Sequence, residues 1–277
     1  MASRRRRRQW LALAGILIVV GAFVVVKTLV LNDDVHRVSR DEVLKRYRDE
    51  SSTTNSVGSA PDSIASTTAA PVPLTLPQPG VYVYRTQGRE SIDAVGGSLH
   101  LYPSETTITV IADGCGVMLR WDVLKERHER WRLCLGREGI DLAPDGRQSF
   151  HEFFGQTKVE DLTCDRDVVV VPLDARSRPK VALTCLLGDL AWQPNWEVPG
   201  RGTRTVGGTV VPVQRVRMTI VDDDQYFEHV VLDWYLDGHG LPVSATLAKE
   251  SLSDTTFGDV TYTEQYSYDL VSLTPLR

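Results

Sequence analysis

Residues 226–247 read YFEHVVLDWYLDGHGLPVSATL, and this stretch decides the fold. Val230, Leu232, Trp234 and Leu236 recur at every second position, as do Leu241, Val243, Ala245 and Leu247. A period of two places each set on one face of a strand. Asp237-Gly238-His239-Gly240 between them supplies turn residues. The stretch therefore reads as a long antiparallel hairpin.

Further strands flank it. Upstream, Thr209–Val221 contains VVPVQRVRMTIV and runs into a polar turn of Asp222, Asp223 and Asp224. Downstream, Val260, Tyr262, Tyr266, Tyr268 and Leu270 alternate, with Glu264 as the exception in the series. Earlier runs with strand character are VYVYRT (81–86), TTITVIA (106–112), GVMLRW (116–121), RWRLCL (130–135), SFHEFFG (149–155), VVVVPL (168–173) and VALTCLL (181–187). A short helix fits around Asp122–Arg130. The expectation for residues 80–277 is a mainly β domain: a curved antiparallel sheet, half-barrel or sandwich-like, with few short helices. A sheet this long must hide one face by closing, by folding onto a second sheet, or by curving around helices or a ligand.

Four cysteines lie in this region: Cys115, Cys134, Cys164 and Cys185. An even count in an oxidising compartment favours two disulfides, with three connectivities open. Cys115–Cys134 and Cys164–Cys185 are preferred, because each pair flanks a short stretch that reads as adjacent antiparallel strands. Loops near 20 residues give roughly 3 kcal/mol apiece in the chain-entropy model. A zinc site is disfavoured by the absence of C-x-x-C spacing and of clustered histidines.

The compartment is set at the other end of the chain. Trp10–Leu31, WLALAGILIVVGAFVVVKTLVL, is apolar except for Lys27 near its distal end. As a helix it spans roughly 33 Å, enough for the hydrocarbon core of about 30 Å. Arg4, Arg5, Arg6, Arg7 and Arg8 precede it, and Asn32, Asp33 and Asp34 follow. By the positive-inside rule residues 1–9 stay in the cytoplasm and the rest is extracytoplasmic. A cleaved signal peptide is the rival reading. The apolar run is longer than the usual ~7–15 residues and no clean A-x-A site follows, so an uncleaved, single-pass signal anchor is expected. The first 31 residues carry a charge of +6 in a chain of net charge −5, which leaves −11 on the remainder. An acidic domain of this kind argues against a nucleic-acid partner.

Between anchor and domain, residues 32–50 contain Ser39 followed three positions on by Glu42, a capping-box pattern. Val43, Leu44 and Tyr47 then share one side of a short juxtamembrane helix, expected to be solvated and to stand the chain off the bilayer. Residues 51–79 are rich in Ser, Thr, Ala and Pro and nearly free of charge and aromatics. Such a segment cannot bury enough surface to offset its ordering entropy and reads as a disordered linker.

The hairpin LDWYLDGHGLPVSATL and the strand ending YSYDLVSL resemble the Trp…Asp…Gly-Leu-Pro hairpin of bacterial lipoprotein carriers of the LolA/LppX/RseB type, on Trp234, Asp237, Gly240, Leu241 and Pro242. The resemblance covers about the last seventy residues. It implies an extracytoplasmic half-barrel cupping an apolar cavity for lipid or lipoprotein. The chain departs from that family in having no lipobox cysteine and in adding two expected disulfides. As a whole it resembles actinobacterial single-pass membrane proteins of uncharacterised activity.

No catalytic motif emerges. His151-Glu152 begins like a zincin site, but the second histidine is missing and the run alternates like a strand. Asp222–Asp224 suits a calcium ion in ligand type, without EF-hand spacing. There is no G-x-S-x-G elbow. Gly200–Gly208 (GRGTRTVGG) reads as a flexible loop. Trp192 and Trp196 flank Gln193-Pro194-Asn195 and are the candidate contacts for a ligand or partner; no cofactor is implied. The expectation is a membrane-anchored extracytoplasmic binding domain for an apolar envelope molecule or a protein partner. The alternatives are an envelope hydrolase whose triad is not visible in sequence, and a structural or assembly factor.

Overall fold

The computed structural model describes residues 35–54, 74–187, 190–222, 228–255 and 258–277. The expected span Trp10–Leu31, the arginines 4–8, most of the linker, and Asp223 and Asp224 of the Asp222–Asp224 turn lie outside these residues. Among the described residues no helix is long and apolar enough to cross a membrane.

Sixteen strands form a curved antiparallel sheet of half-barrel form. They are β1 (Gly80–Ile92), β2 (Ser98–Leu101), β3 (Glu105–Asp113), β4 (Gly116–Asp122), β5 (Arg127–Leu135), β6 (Gly139–Phe153), β7 (Gln156–Cys164), β8 (Val168–Pro172), β9 (Lys180–Ala182), β10 (Cys185–Leu187), β11 (Leu190–Trp192), β12 (Asn195–Val206), β13 (Thr209–Asp222), β14 (Glu228–Leu236), β15 (Pro242–Thr255) and β16 (Gly258–Leu270). The spatial order is β11-β10-β7-β6-β5-β4-β3-β1-β16-β15-β14-β13-β12-β9. Chain neighbours are thus mostly spatial neighbours, and the one long-range seam is β1 against β16, from Tyr84 opposite Leu270 to Ile92 opposite Tyr262. The two ends of the sheet are brought together by a single segment. In Lys180–Leu187, β9 pairs with β12 while β10 pairs with β7. The disulfide Cys164–Cys185 joins directly opposed residues at this closure. Cys115–Cys134 staples the start of β4 to β5. Both expected pairings are present.

Among the described residues the inward face is lined by closely packed side chains of the protein itself. Trp121, Trp131 and Trp234 are buried, as are Tyr84, Tyr266 and Tyr268. Trp131 meets Trp234 edge to face at 4.9 Å, and Trp121 lies 4.5 Å from Tyr266 and 5.1 Å from Tyr268. Leu119, Leu133, Leu232, Leu236 and Met218 complete this apolar half. Interlocking rings at such spacings give a rigid core, and each carries a large apolar area.

Several local expectations are corrected. Asp122–Arg130 is not a helix: the chain finishes β4, turns through the buried Val123 and Leu124, and enters β5. Gly200–Gly208 is mostly strand. β12 continues through it, with a register shift between Glu197 and Gly200, and the turn is confined to Gly207 and Gly208. Their φ values of 54° and 85° match the primed hairpin turn whose twist suits two long strands.

The segment expected to lie beside the membrane also differs. A helix, α1, runs Arg40–Thr54, four residues beyond the expected end. Ser39 Oγ accepts the Glu42 N–H at 3.2 Å, as its capping role requires. The helix is docked rather than solvated. Val43 is buried, Arg46 pairs with Asp122, and Arg40 pairs with Glu105. At the far side of the linker, Leu74 and Leu76 pack against the core before β1 begins.

Candidate functional site

The inward stripe of nearly every long strand changes character at the same end. On β14 the apolar series Val230, Leu232, Trp234, Leu236 is preceded by Glu228, and on β15 the series Val243, Ala245, Leu247 is followed by Lys249. On β16, Tyr266, Tyr268 and Leu270 are preceded by Glu264; on β1, Tyr82 and Tyr84 lead through Thr86 and Gly88 to Glu90. On β5 the series is Arg127, Glu129, Trp131, Leu133, and β6 contributes Arg147, Ser149 and His151. β7 adds Glu160 and β2 adds His100. The pleat directs all of them inward, so one end of the half-barrel interior is a layer of buried charge.

The register creates a problem that the network solves. Glu90 and Glu264 are directly opposed across β1 and β16, which is repulsive for like charges. Arg127 lies between them. Its Nε donates to Glu264 Oε1 at 3.0 Å and stands 3.9 Å from Glu90 Oε2, and its Nη2 donates to Glu129 Oε2 at 3.0 Å. Arg147 Nε donates to the other oxygen of Glu129 at 3.0 Å. Glu90 is bracketed by two histidines, with His100 Nδ1 and His151 Nδ1 each 3.0 Å from one of its oxygens. Tyr102 donates to Glu264 at 2.6 Å, and the Tyr262 hydroxyl reaches Glu90 at 2.9 Å and Glu264 at 3.1 Å. A second group centres on Lys249, 3.3 Å from Glu160 and 3.5 Å from Glu228, with Lys158 2.8 Å from Glu160.

Burial alone would raise every carboxyl here. For Glu90 that penalty is outweighed by the hydrogen bonds from His100 and His151 and by Arg127, and its pKa falls to about 2. Glu129 is likewise held below the usual carboxylate range by Arg147 and Arg127 against its burial, and Glu160 by Lys249 and Lys158. Glu228 is the exception: burial prevails over Lys249 and its pKa is raised. Apart from Glu228, whose Oε1 is buried without a hydrogen-bond partner, the layer is a set of mutually paired charges. It contains acids, bases and two tyrosines of the kinds used in proton transfer, but nearly all are engaged with one another. Among the described residues no three His, Cys, Asp or Glu side chains are grouped to hold a metal.

The opposite end bears an open cleft of about 570 Å³. One wall is Thr75–Gln78, another Leu273–Pro275, and the floor includes Tyr82, Val211, Pro212 and the Asp237–Leu241 turn. The turn is built locally. Asp237 accepts the N–H groups of His239 at 2.8 Å and Leu241 at 2.9 Å, which fixes the Gly-Leu-Pro corner. His239 then reaches Thr75 Oγ1 at 2.7 Å and ties the incoming segment to the turn. The tail is held by the Val81–Leu276 bridge, with two backbone bonds of 2.9 Å. Leu241 is buried and Leu273 exposed, so the cleft is apolar within and accessible without.

The two aromatic candidates part ways. Trp196 lies on β12 and is buried 6.2 Å from Trp234; it is core, not a contact surface. Trp192 ends β11, packs partly against the core, and lies 5.9 Å from Lys249 at the border of the charged layer. Neither lines the cleft. His151 sits in β6 as part of the Glu90 cluster, in keeping with the expected strand alternation as far as Phe153; Phe154 and Gly155, expected to continue it, form the turn into β7 with φ of 53° and 69°. Trp234, Leu241 and Pro242 of the resemblance hairpin serve the core and the corner, while Asp237, Gly238, His239 and Leu241 line the cleft. A scan of protein-family models, a search of curated proteins and a search of solved structures each return no match for this chain.

Proposed function

We propose that this chain is a single-pass membrane protein whose extracytoplasmic β domain binds, in the cleft at Thr75–Gln78 and Leu273–Pro275, an extended apolar segment of an envelope protein. The observation that carries the reading is the pairing of an open apolar cleft with a filled interior. A lipid carrier of the half-barrel type needs a deep apolar cavity of several hundred Å³ under its sheet. Here that face is taken up by tryptophan and tyrosine rings and by paired charges. The cleft is different: apolar side chains line it beside exposed polar groups such as His239 and Gln78, which suit the amides of a polypeptide. The two disulfides accord with an oxidising, extracytoplasmic setting.

The test is site-specific photocrosslinking in the native envelope. A benzophenone side chain replaces Thr274, which is exposed on the cleft wall. The reading expects a discrete protein adduct that disappears when Leu273→Arg is added and is absent with the probe at Thr163 on the outer face of β7. Adducts confined to lipid, or protein adducts indifferent to Leu273→Arg, refute it.

A further inference from the structure

The segment that leads into the domain is fastened to one end of the half-barrel. The Lys125 N–H donates to the His36 carbonyl at 2.9 Å, and the His36 N–H donates to Glu126 Oε2 at 2.9 Å. His36 Nδ1 stands 2.6 Å from Glu126 Oε1, and Arg37 forms a β-bridge with Leu124. Residues 36 and 37 are therefore strapped to the β4–β5 turn. The chain then returns along the sheet as α1 and re-enters at Leu74. It follows that the Ser/Thr/Pro-rich stretch joins two parts of one domain surface. It does not set the distance between the domain and whatever precedes Val35.

With Trp10–Leu31 as the membrane span, on which this inference rests, five residue steps separate Leu31 from His36. Fully extended they reach roughly 18 Å. We propose that the β4–β5 end of the half-barrel lies on the outer surface of the anionic bilayer that holds the anchor, with lipid headgroup phosphates as the ligands of its unpaired arginines. Arg37 is exposed, and among the described residues its side chain has no ion-pair or hydrogen-bond partner. Arg130 is half-buried and likewise has none. It stands directly opposite Arg120 across β4 and β5, two residues from the turn. Asp122 is the carboxylate between them, and its oxygens are taken by Arg120 and Arg46. Glu50 also acts on Arg130, and Glu42 and Glu126 lie at the same end; against these and Asp122 stand Arg37, Arg46, Arg120, Lys125 and Arg130, which leaves a small local excess of positive charge at the strapped end. Burial and the same arginines push His128 down to about 3, so it adds no further charge. With −11 on residues 32–277 as a whole, an anionic surface repels the domain on average, and the positive excess favours this end facing it.

The geometry orients the rest of the molecule. Gly116 begins β4 beside Leu76 of the cleft wall, whose Cδ1 lies 2.9 Å from where a Cβ on Gly116 would stand, while Asp122 ends the same strand at the turn. Seven residues of strand separate the two by roughly 20 Å. The cleft therefore faces away from the membrane, toward the extracytoplasmic space.

The experiment uses the full chain in nanodiscs, with an environment-sensitive fluorophore at Lys125 or at His239 and a quencher on the lipid headgroup. The inference expects several-fold stronger quenching at Lys125 than at His239. Arg130→Gln should weaken quenching at Lys125 in discs containing phosphatidylglycerol and leave it unchanged in phosphatidylcholine alone. Equal, weak quenching at both positions overturns the apposition, and an Arg130→Gln variant indistinguishable from the parent in both lipids overturns the assignment of the arginine. Release of the chain from native envelopes by alkaline carbonate is a separate result, which overturns the anchor instead.

Discussion

Arg127→Met removes the cation that the charged layer is built around. Arg127 is 1% exposed and bonds Glu264 and Glu129 while facing Glu90 at 3.9 Å. Methionine fills similar length without charge and leaves a carboxylate stranded in the interior. Breaking a buried pair by removing one partner costs about 3–5 kcal/mol. A second bound reaches the same figure: the stranded carboxyl can take up a proton, and holding a group of ordinary pKa near 4.5 protonated at pH 7 costs about 3.4 kcal/mol. The variant should thus be about 3–4 kcal/mol less stable at pH 7. The sign with pH follows. A carboxyl whose folded pKa is raised stabilises the fold at low pH and withdraws that contribution as pH rises toward the folded pKa. The deficit should therefore shrink by up to about 1.4 kcal/mol per unit between pH 7 and pH 5. Urea unfolding of the full chain in detergent, followed by tryptophan fluorescence at both pH values, measures it. A deficit under 1 kcal/mol, or one independent of pH, would refute the view that Arg127 neutralises buried carboxylates.

Other perturbations test separate parts. Glu90 has its pKa lowered to about 2 in the fold, so its contribution is present above the unfolded value and is lost as pH falls from about 5 to 2; Glu90→Gln should flatten that acid limb of the stability curve, by an amount of order 3 kcal/mol. Replacing Cys164 and Cys185 by alanine frees the closing segment, so hydrogen exchange should rise across β9–β12, whereas the Cys115/Cys134 double variant should leave those strands protected. A Cβ on Gly88 would stand 2.6 Å from Tyr266 Cβ and 2.8 Å from the Gln265 carbonyl, so Gly88→Ala should lower stability by about 1–3 kcal/mol, read as a fall in the thermal midpoint.

The hairpins were legible because each strand obeys a period of two and each turn carries its own residues. Val230 to Leu236 and Leu241 to Leu247 pair in the structure as their alternation requires, with a register shift at Leu236 where Pro242 enters. The disulfide pairs followed from the same adjacency. The charged layer was half-legible. Glu264 breaks the alternation of β16, and Lys249 and Glu228 each extend an apolar stripe by one more step. Any one of these reads as a strand end emerging into solvent. Only the register, which sets Glu90 against Glu264 and Lys249 against Glu264, shows that the steps coincide in depth. The docking of α1 was hidden for a related reason. Its sequence places one buried residue, Val43, on the sheet and otherwise relies on polar contacts with distant residues, among them Glu105, Asp122 and Lys125, more than sixty positions away. Trp196 misled because the proline between it and Trp192 suggests a loop, while the chain in fact passes through Pro194 with the strand pairing nearly continuous from β11 to β12.

A half-barrel that fills one end with charge gives up stability that leucines could supply, since a buried ion pair is at best a weak contributor beside a well-packed apolar core. What the charges add here is a fixed register. A one-residue slip of an apolar strand exchanges its faces, and a two-residue slip restores the alternation and is tolerated by leucine and valine alike. It is not tolerated by this layer. A two-residue slip of β16 along β1 would carry Glu264 away from Arg127 and Tyr102 and strand it in the aromatic half. The β1–β16 seam joins the two ends of the described domain sequence, so no short turn sets its register. The layer sits on that seam, with Glu90 on one strand and Glu264 on the other, bridged by Arg127 from a third. The same placement explains why the cleft can lie at the opposite end: with register fixed by charge at one rim, the other rim is free to carry Gly-Leu-Pro and the C-terminal tail as the walls of the cleft.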